Sequence, residues 1–497
     1  MRTMIRGGWV VGFREPTHTL IRNGVVVYEE DKIIYVGRNF QGTIDKTIDS
    51  SGMLVSPGFI DTHVHCGHRA SHRLITDIGR PDYFGQPFLE IAIPREGTKI
   101  GGDPRYAGAE GMDSKEMAVW CDFTAVELLR NGITTMVEFG AATRVQEGLL
   151  ESIRRYGNRA YLGPGYDIGR WVGDQEGCLK RVVDEVKGEK DFKDAIAFIQ
   201  RNDGGVNGRV KGILVPREAE TCSLNQLEAT VRLSREMKVP VAIHAAYNIH
   251  EFYDIVRHHL KTPIELLESL RMLQLGPSLN IGHGNLVAEH PRLAYSNGHD
   301  IEIMGRYGCT VSHCPVNLVR RARFLDHWDK YKQAGVNMAL GTDTYPRDMM
   351  MQMRMASYFG KVLSKNLGSA SAASVFEAAT LGGARSLGRS DLGKLSPGAK
   401  ADIILINLMG GDSLRYGPVR DPIKSLVECG IGDDVDTVIV DGVIRMENRK
   451  IFGVDIKKLR DDAQIAGESQ WDHWHEWDPL KRTAEQINPW SFPLEGS

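Results

Sequence analysis

The chain has 497 residues, of which 42% are hydrophobic and 25% are charged, and its formal net charge is -3. This composition is typical of a globular protein, and so small a net charge gives no reason to expect nucleic acid or an anionic membrane as a partner. The N-terminus lacks a long apolar segment, and no run of about 18 apolar residues occurs, so we expect a cytoplasmic protein without a membrane span. The 7 cysteines are scattered without C-x-x-C spacing, which argues against a disulfide framework or a zinc knuckle.

Residues 1–57 alternate short β-rich runs with turns. The pair Asn23-Gly24 and the acidic turn Glu29-Glu30-Asp31 are both hairpin signals. A similar pattern returns only near the end, in residues 401–406 and 438–444. We therefore expect residues 1–57 and 393–454 to form one small β-sandwich domain built from both chain ends.

Residues 58–392, between these two sets, alternate apolar runs with helical patterns. A capping box at Ser223 and Gln226 begins one predicted helix, and Asn131-Gly132 ends another. The predicted strands are 59–65, 134–140, 159–165, 210–216, 240–245, 279–284, 310–315 and 336–343. Eight repeated β/α units predict an α/β fold, namely a (β/α)8 TIM-type barrel.

Histidines and one aspartate recur at the ends of these predicted strands. His63 and His65 point to the same face, because side chains two apart on a strand share a face. His244, His283 and Asp343 end three later strands. Active sites of such barrels lie at the C-terminal ends of the strands, so this pattern predicts a metal site rather than unrelated buried histidines.

Two further segments stand apart from the repeats. Residues 66–113 form a long connection rich in glycine, proline and aromatic residues, including 83–88, which we interpret as a lid over the barrel rather than a disordered insertion. Residues 455–497 form a C-terminal tail that becomes rich in tryptophan. His473 and His475 have no further ligand close in sequence, so we expect an arm that packs on the body or on a second subunit.

Several motifs together resemble the amidohydrolase superfamily. They are VSPGFIDTHVH at 55–65, IH at 243–244, GHG at 282–284, VSHCP at 311–315, GTD at 341–343 and LGKLSPGAKAD at 392–402. Within the superfamily, the chain is most similar to the branch of triazine hydrolases and cytosine, guanine and adenosine-type deaminases. The resemblance covers nearly the whole chain.

The resemblance implies that His63, His65, His244 and Asp343 bind one divalent metal ion. Three imidazoles and a carboxylate suit zinc, and iron, cobalt or manganese are alternatives. A metal-activated water is then the nucleophile, Asp343 transfers its proton to the leaving group, and His283 polarises the attacked group.

Three positions qualify this expectation. Members with two metals use a lysine at the end of the fourth strand, whereas Lys211 lies near its start, so a mononuclear site is predicted. Tyr247 stands where deaminases of this branch commonly carry a proton-shuttling glutamate. Arg217 replaces a substrate-binding histidine and suits a carbonyl or anionic group, the alternative being an ion pair with Glu218 or Glu220.

The resemblance implies that the substrate pocket includes three other residues besides Arg217 and Tyr247. They are His313, Asn317 and Tyr345. A histidine after a buried strand is about as often structural, and Tyr345 alternatively lies in a surface turn.

The predicted function is a metal-dependent hydrolase acting on a small molecule. Its substrate would be a heterocycle, amide, urea or (thio)carbamate, xenobiotics included, in which a carbon–nitrogen or other leaving-group bond is cleaved. One alternative is an aminohydrolase of a purine, pyrimidine or s-triazine, and another is a non-catalytic scaffold. A nucleic-acid-editing deaminase lacks support, since the H-x-E and P-C-x-x-C signature is missing. The family resemblance and the tryptophan-rich tail suggest a homo-oligomer.

Overall fold

The structure is a computed structural model that describes residues 1–78, 93, 96, 114–174, 176, 178–295, 298–409 and 414–495. Most of the predicted lid, including residues 83–88, lies outside the described residues. Within the described ranges, no helix has the length and apolar character needed to cross a membrane.

Residues before position 58 form short strands. They are β1 (Arg2–Arg6), β2 (Trp9–Arg14), β3 (Thr17–Arg22), β4 (Val25–Glu29), β5 (Lys32–Gly37), β6 (Lys46–Asp49) and β7 (Met53–Pro57). Strands β5, β4, β1 and β6 form one sheet in that order.

The middle of the chain alternates strands and helices. Its first half contains β8 (Phe59–Val64), α1 (Arg69–Arg73), α2 (Ser114–Arg130), β9 (Ile133–Glu138), α3 (Thr143–Tyr156), β10 (Arg159–Leu162), β11 (Gly165–Tyr166), β12 (Gly169–Gly173), β13 (Leu179–Val183), α4 (Glu185–Asn202), α5 (Gly205–Gly208), β14 (Val210–Gly212) and β15 (Val215–Pro216). Its second half contains α6 (Leu224–Met237), β16 (Val241–Ala245), α7 (Ile249–His259), α8 (Pro263–Ser269), β17 (Leu279–His283), α9 (Asp300–Tyr307), β18 (Thr310–His313), α10 (Pro315–Val319), α11 (Trp328–Ala334), β19 (Asn337–Leu340), α12 (Met349–Ser364), α13 (Ala372–Glu377) and α14 (Gly383–Ser386).

The end of the chain returns to the N-terminal strands. It contains β20 (Ile403–Asn407), α15 (Pro422–Cys429), β21 (Val435–Val440), β22 (Val443–Glu447), β23 (Lys450–Ile451), α16 (Ile456–Asp472), α17 (Trp474–Trp477) and α18 (Ala484–Ile487). β20 pairs antiparallel with β7, so one sheet runs β23-β22-β21-β20-β7-β2-β3 and contains strands from both chain ends.

Two parallel sheets carry the predicted site residues. Their orders are β14-β10-β9-β8 and β16-β17-β18-β19. Isolated parallel bridges connect the sheets at both edges, between Leu214 and Val241 and between Val64 and Asp343. A strand overlaps each predicted segment, and the predicted α/β class is confirmed.

Local sequence explains these elements. β8 and β16 are buried along their whole length, as expected for strands in parallel sheets covered on both faces. α6 begins at the predicted capping box: the Ser223 hydroxyl accepts from the backbone nitrogen of Gln226 at 3.1 Å, and the Gln226 side chain accepts from that of Ser223 at 3.2 Å.

Candidate metal centre

Three imidazoles meet at the C-terminal ends of β8 and β16. Nε2 of His63 lies 3.1 Å from Nε2 of His65, which in turn lies 3.3 Å from Nε2 of His244. The ligand atoms of all three residues lie within 4.8 Å of one another. Nitrogen lone pairs that converge in this way provide a donor set for a borderline-soft divalent cation.

Asp343 approaches the same point from the segment after β19. Its Oδ1 lies 3.8 Å from Nε2 of His65, and its Oδ2 lies 3.7 Å from Nε2 of His283. The backbone is fixed as well, because the nitrogen of Asp343 donates to the carbonyl of His63 and the nitrogen of His65 donates to the carbonyl of Asp343, both at 2.7 Å. The structure therefore brings the predicted ligands and His283 together.

Two residues of this cluster have left-handed backbone conformations. φ is +69° at His283 and +62° at Asp343. Such conformations are uncommon for residues other than glycine and cost on the order of 1–3 kcal/mol. Strained residues of this kind concentrate at functional sites, where the surrounding fold holds them in place.

Burial keeps the imidazoles neutral. It lowers the pKa of His63, His65 and His283 well below the usual value, and the neighbouring histidines add to the effect. Neutral imidazole is the form that binds a metal ion. Burial also raises the pKa of Asp343, although the positive charge of Arg321 opposes that rise.

The surroundings orient the ligands. Nδ1 of His244 lies 2.7 Å from the carbonyl oxygen of Arg217, so Nδ1 carries the proton and the Nε2 lone pair points at the cluster. The ring of His63 stacks on Phe139, with centroids 3.8 Å apart. Gly282 allows this packing, since a Cβ there would lie 2.8 Å from the His63 ring.

The predicted substrate residues Arg217, Tyr247 and Asn317 lie around this cluster. The Asn317 side-chain amide donates to Oδ2 of Asp343. The ring centroid of Tyr247 lies 5.7 Å from that of His244 and 6.3 Å from that of His283. Arg217 is buried, with its Nε 3.7 Å from Oδ2 of Asp167, so Asp167 provides a carboxylate near it.

His313 and Tyr345 also contact residues outside the cluster, although the charge of His313 reaches His283. The ring of His313 lies 5.9 Å from that of Trp328 on α11, among apolar side chains. The Tyr345 hydroxyl donates to the carbonyl of His72 at 3.0 Å, and its ring packs under Arg320 at 4.1 Å. Both contacts are typical of packing roles, which were the alternatives drawn from the sequence.

Sequence reasoning did not assign several groups near the cluster. His68 stacks on His65 with centroids 5.1 Å apart. Arg321 and Arg323, which follow α10, are buried, and burial lowers their pKa values to about 9 and about 10. The sequence Arg-Ala-Arg at 321–323, a few residues after the SHCP motif, could have indicated that arginines lie near the cluster.

Comparisons with known proteins identify the family. Residues 54–445 match the amidohydrolase family. The chain belongs to this family. It is 30% identical to a 5-methylthioadenosine/S-adenosylhomocysteine deaminase of Thermococcus onnurineus, over 87% of this chain and 95% of the relative. It is 26% identical to a 5'-deoxyadenosine deaminase of Methanosarcina barkeri, over 91% of this chain and 95% of the relative.

Solved structures with the same fold include two zinc-containing enzymes. An adenosine deaminase from Xanthomonas campestris with bound zinc superposes with a TM-score of 0.76 at 20% identity, covering 94% of this chain and 98% of the other. An atrazine chlorohydrolase from Arthrobacter aurescens TC1 complexed with zinc gives 0.75 at 22% identity, covering 94% and 100%.

These findings confirm the predicted family and the predicted class of activity. The amidohydrolase is a metal-dependent hydrolase of carbon–nitrogen bonds, and the scaffold alternative is not supported. The histidine and aspartate groups gathered at the strand ends provide a metal-binding donor set.

Proposed function

We propose that this amidohydrolase is a deaminase of a 6-aminopurine nucleoside that is modified at its 5' position. Water replaces the exocyclic amino group, and a 6-oxopurine nucleoside and ammonia are released. The observation that carries the proposal is the convergence of His63, His65, His244, His283 and Asp343 in a chain 30% identical to a curated deaminase over 87% of its length. The aminohydrolase alternative thus takes precedence over amide, urea or carbamate cleavage.

One divalent ion, zinc, is bound by His63, His65, His244 and Asp343 in this proposal. The donor set fits: the three Nε2 atoms lie close together, and burial lowers the pKa of His63 and of His65, which favours their neutral, metal-binding forms. A bound ion of this kind supplies a water molecule with a pKa near neutrality. The position of Lys211 at the middle of β14, away from a strand end, favours one ion over two.

The catalytic work of the chain falls to Asp343 and His283. Asp343 accepts the proton of the attacking water and delivers it to the departing amino group. His283, whose Nε2 lies 3.7 Å from the Asp343 carboxylate, polarises the attacked carbon's substituent. Asn317 holds the Asp343 carboxylate through its side-chain amide.

The pocket walls are proposed to include Arg217 and Tyr247. Both side chains are buried beside the cluster, and Tyr247 lies next to His244 and His283. His313 and Tyr345 stay predictions as substrate residues, because the ring contact of His313 with Trp328 and the hydrogen bond of Tyr345 to the carbonyl of His72 are typical of packing.

The domain architecture is also a proposal. Residues 58–392 form one closed (β/α)8 barrel, a view supported by the isolated bridges at both edges of the two parallel sheets. Residues 1–57 and 393–454 form a β-sandwich, since Ile5 and Val26 of one sheet share an apolar core with Val10 and Ile403 of the other. The tail, 455–497, packs on the body through Trp471, whose Nε1 donates to the carbonyl of Ala70 at 2.9 Å.

We further propose a cytoplasmic homo-oligomer that acts on a small molecule and binds neither nucleic acid nor a membrane. The net charge of -3 and the tryptophan-rich tail support these points. Analytical ultracentrifugation of the purified chain tests the oligomeric state, and a sedimentation coefficient of a monomer contradicts it.

Two measurements test the function. Elemental analysis of protein purified without added metal should give about one zinc ion per chain, and Asp343→Ala should lose most of it, whereas the surface variant Asp461→Ala should not. Ammonia release is then measured with adenosine, 5'-deoxyadenosine, 5'-methylthioadenosine and S-adenosylhomocysteine, next to guanine and cytosine. For an s-triazine, a phenylurea and a carbamate, whose leaving groups need not be ammonia, loss of the substrate is followed by chromatography.

The results of these two measurements distinguish the proposed deaminase from the other predicted hydrolases. Ammonia from the 5'-modified adenosines supports the proposal. Turnover of only the triazine, urea or carbamate would replace it with the hydrolase first predicted from the sequence. About two metal ions per chain would contradict the mononuclear site.

A further inference from the structure

An arginine in the segment after β19 holds the backbone of His65. Arg347 lies four residues after Asp343 and is 1% exposed. Its Nη2 donates to the carbonyl oxygen of His65 at 2.8 Å. The backbone nitrogen of His65 donates to the carbonyl oxygen of Asp343 at 2.7 Å. Both backbone polar groups of His65 are therefore bonded to residues 343–347, which also carry the carboxylate of the cluster.

Glu127 of α2 fixes the guanidinium group of Arg347. Nη1 of Arg347 donates to Oε2 of Glu127 at 2.9 Å, and the backbone nitrogen of Arg347 donates to Oε1 at 3.4 Å. A guanidinium group is planar, and its donors point in fixed directions. Because Glu127 determines the position of Nη1, it also determines where Nη2 can hold the carbonyl group of His65.

The Glu127 carboxylate is also bound by Arg69, the first residue of α1. Nη1 of Arg69 donates to Oε1 of Glu127 at 2.7 Å and to Oε2 at 2.6 Å. The guanidinium group of Arg69 lies over the ring of Phe123, also on α2, at 4.7 Å from the ring centroid. Arg69 is thus held in place as well, and the carboxylate that it binds gives Arg347 a fixed anchor.

Stability alone does not account for a charged group at position 347. The side chains of Arg347 and Glu127 are 1% and 13% exposed. An ion pair buried to this extent is often no more stabilising than apolar side chains of similar size, because both ions lose their hydration. An apolar side chain could fill the same space, but it could not donate a hydrogen bond to the carbonyl oxygen of His65. The arginine therefore supplies a directed contact to a residue of the metal cluster.

We propose that Arg347 is a positioning residue for the metal ligand His65 and that Glu127 orients Arg347 for this role. Arg347 fixes the backbone of His65 relative to Asp343, so that Nε2 of His65 stays among the other donor atoms of the cluster. Hydrogen bonds that orient ligand residues in this way raise the affinity for the metal ion. This inference rests on the metal site of the proposed function and is independent of the substrate.

Zinc affinity and a cobalt spectrum test the role of Arg347. Arg347→Met leaves Glu127 paired with Arg69 but removes the bond to His65, and it should weaken zinc binding about 10- to 100-fold in competition with a chelator. The d–d absorption bands of the cobalt(II)-substituted protein, which depend on ligand geometry, should shift in this variant. Arg347→Lys replaces the two donating nitrogens by one and should weaken zinc binding less, by about threefold to tenfold. If Arg347→Met does not fold, Arg347→Lys provides the same comparison.

A double variant tests the role of Glu127. Glu127→Gln removes the charge that anchors Arg347 and should weaken zinc binding at least about threefold. Glu127→Gln/Arg347→Met should bind zinc no more weakly than Arg347→Met alone, because Glu127 acts on His65 through Arg347. Losses of binding free energy that add in the double variant would contradict this role of Glu127.

Arg159→Met is the matched control, because the side chain of Arg159 is also 1% exposed and binds the carboxylates of Asp402 and Asp441. It should lower the unfolding temperature but keep zinc affinity within about threefold of wild type. An equal loss of zinc affinity in Arg159→Met and Arg347→Met would assign the effect to stability and overturn the positioning role.

The wild type separates this inference from the proposed function. If the wild type binds zinc and deaminates 5'-modified adenosines, but Arg347→Met keeps its zinc affinity within about threefold and its cobalt spectrum unchanged, the positioning role is wrong although the proposed function stands. Absence of zinc binding by the wild type would overturn both proposals.

Discussion

Asp61 accepts two hydrogen bonds from Thr342, at 3.0 Å from the backbone nitrogen and at 2.5 Å from the hydroxyl. It also accepts from the backbone nitrogen of His63 at 3.2 Å. Thr342 precedes Asp343 in the chain. Asp61 therefore connects the two backbone segments that carry His63 and Asp343.

Asp61→Ala should weaken metal binding. The substitution removes three hydrogen bonds that fix the ligand segments, and losses of such supporting contacts typically reduce metal affinity about 10- to 100-fold. Competition with a zinc chelator measures this. Asp61→Asn retains one carbonyl oxygen as an acceptor and should lose less. Equal zinc affinity in wild type and Asp61→Ala would show that the hydrogen bonds of Asp61 do not support metal binding.

Arg159 should be essential for stability. Its guanidinium, 1% exposed, lies 3.0 Å from Asp402 and 2.5 Å from Asp441, so it joins β10 to the C-terminal strands. Arg159→Ala leaves two carboxylates buried without this partner and should lower the free energy of unfolding by about 3–5 kcal/mol, measured by urea denaturation.

An exposed arginine provides the comparison for Arg159. Arg201 lies 3.5 Å from Glu147 with 63% of its side chain exposed, and Arg201→Ala should cost less than about 1 kcal/mol. Equal destabilisation by Arg159→Ala and Arg201→Ala would show that the ion pairs of Arg159 do not stabilise the contact between β10 and the C-terminal strands.

The clustering of the candidate metal-site residues was predictable from sequence because its signal is local. His63 and His65 share a face through the two-residue period of a strand, and His244, His283 and Asp343 each end an apolar run. The order of strands within the α/β fold then brings these ends to one place. Only the repeating β/α pattern was needed to predict that these residues lie close together.

Long-range pairing explains what the sequence did not predict. The hairpin predicted at Asn23-Gly24 was wrong, because the strands on either side of it, β3 and β4, do not pair with each other. β3 pairs with β2, and β4 pairs with β1 and β5 in another sheet. The hairpin predicted at the acidic turn Glu29-Glu30-Asp31 is confirmed, since β4 and β5 pair across this turn. A turn signal fixes where the chain reverses, but the partner of each strand depends on burial against distant residues.

The orientation of side chains on β18 was equally hidden from the sequence. Ser312 contacts Thr62 of β8 while its neighbour His313 lies against Trp328 on a helix. A change of one residue in the register would have exchanged the two faces. Sequence motifs locate such a strand without determining which neighbouring elements its side chains contact.

His313→Leu should leave the chemistry intact. Burial lowers the pKa of His313 to about 3, so the imidazole is neutral, and its ring packs near Trp328. We expect kcat and zinc content within about threefold of wild type, whereas His283→Leu should lower kcat at least about 100-fold. A large loss of kcat with normal thermal stability in His313→Leu would instead support the substrate-binding role first assigned to it.

Asp300 should make stability depend on pH. It begins α9 and accepts from the Thr262 hydroxyl at 2.6 Å and from the backbone nitrogen of Ala288 at 2.8 Å. These bonds favour its ionised form, but burial outweighs them and raises the pKa of Asp300 to about 7. The folded protein therefore holds a proton that the unfolded chain releases near pH 4. The stabilisation from this proton is present at low pH and is lost as the pH rises toward 7.

Asp300→Asn removes this dependence, because an amide of the same shape does not titrate. The free energy of unfolding of wild type relative to Asp300→Asn should fall by about 1.4 kcal/mol per pH unit between about pH 5 and pH 7 and should level off above that range. Urea denaturation of both proteins across this range measures the difference, in which the titration of all other groups cancels. A difference that stays constant with pH would mean that Asp300 is ionised in the fold, so that the hydrogen bonds from Thr262 and Ala288 outweigh the cost of burial.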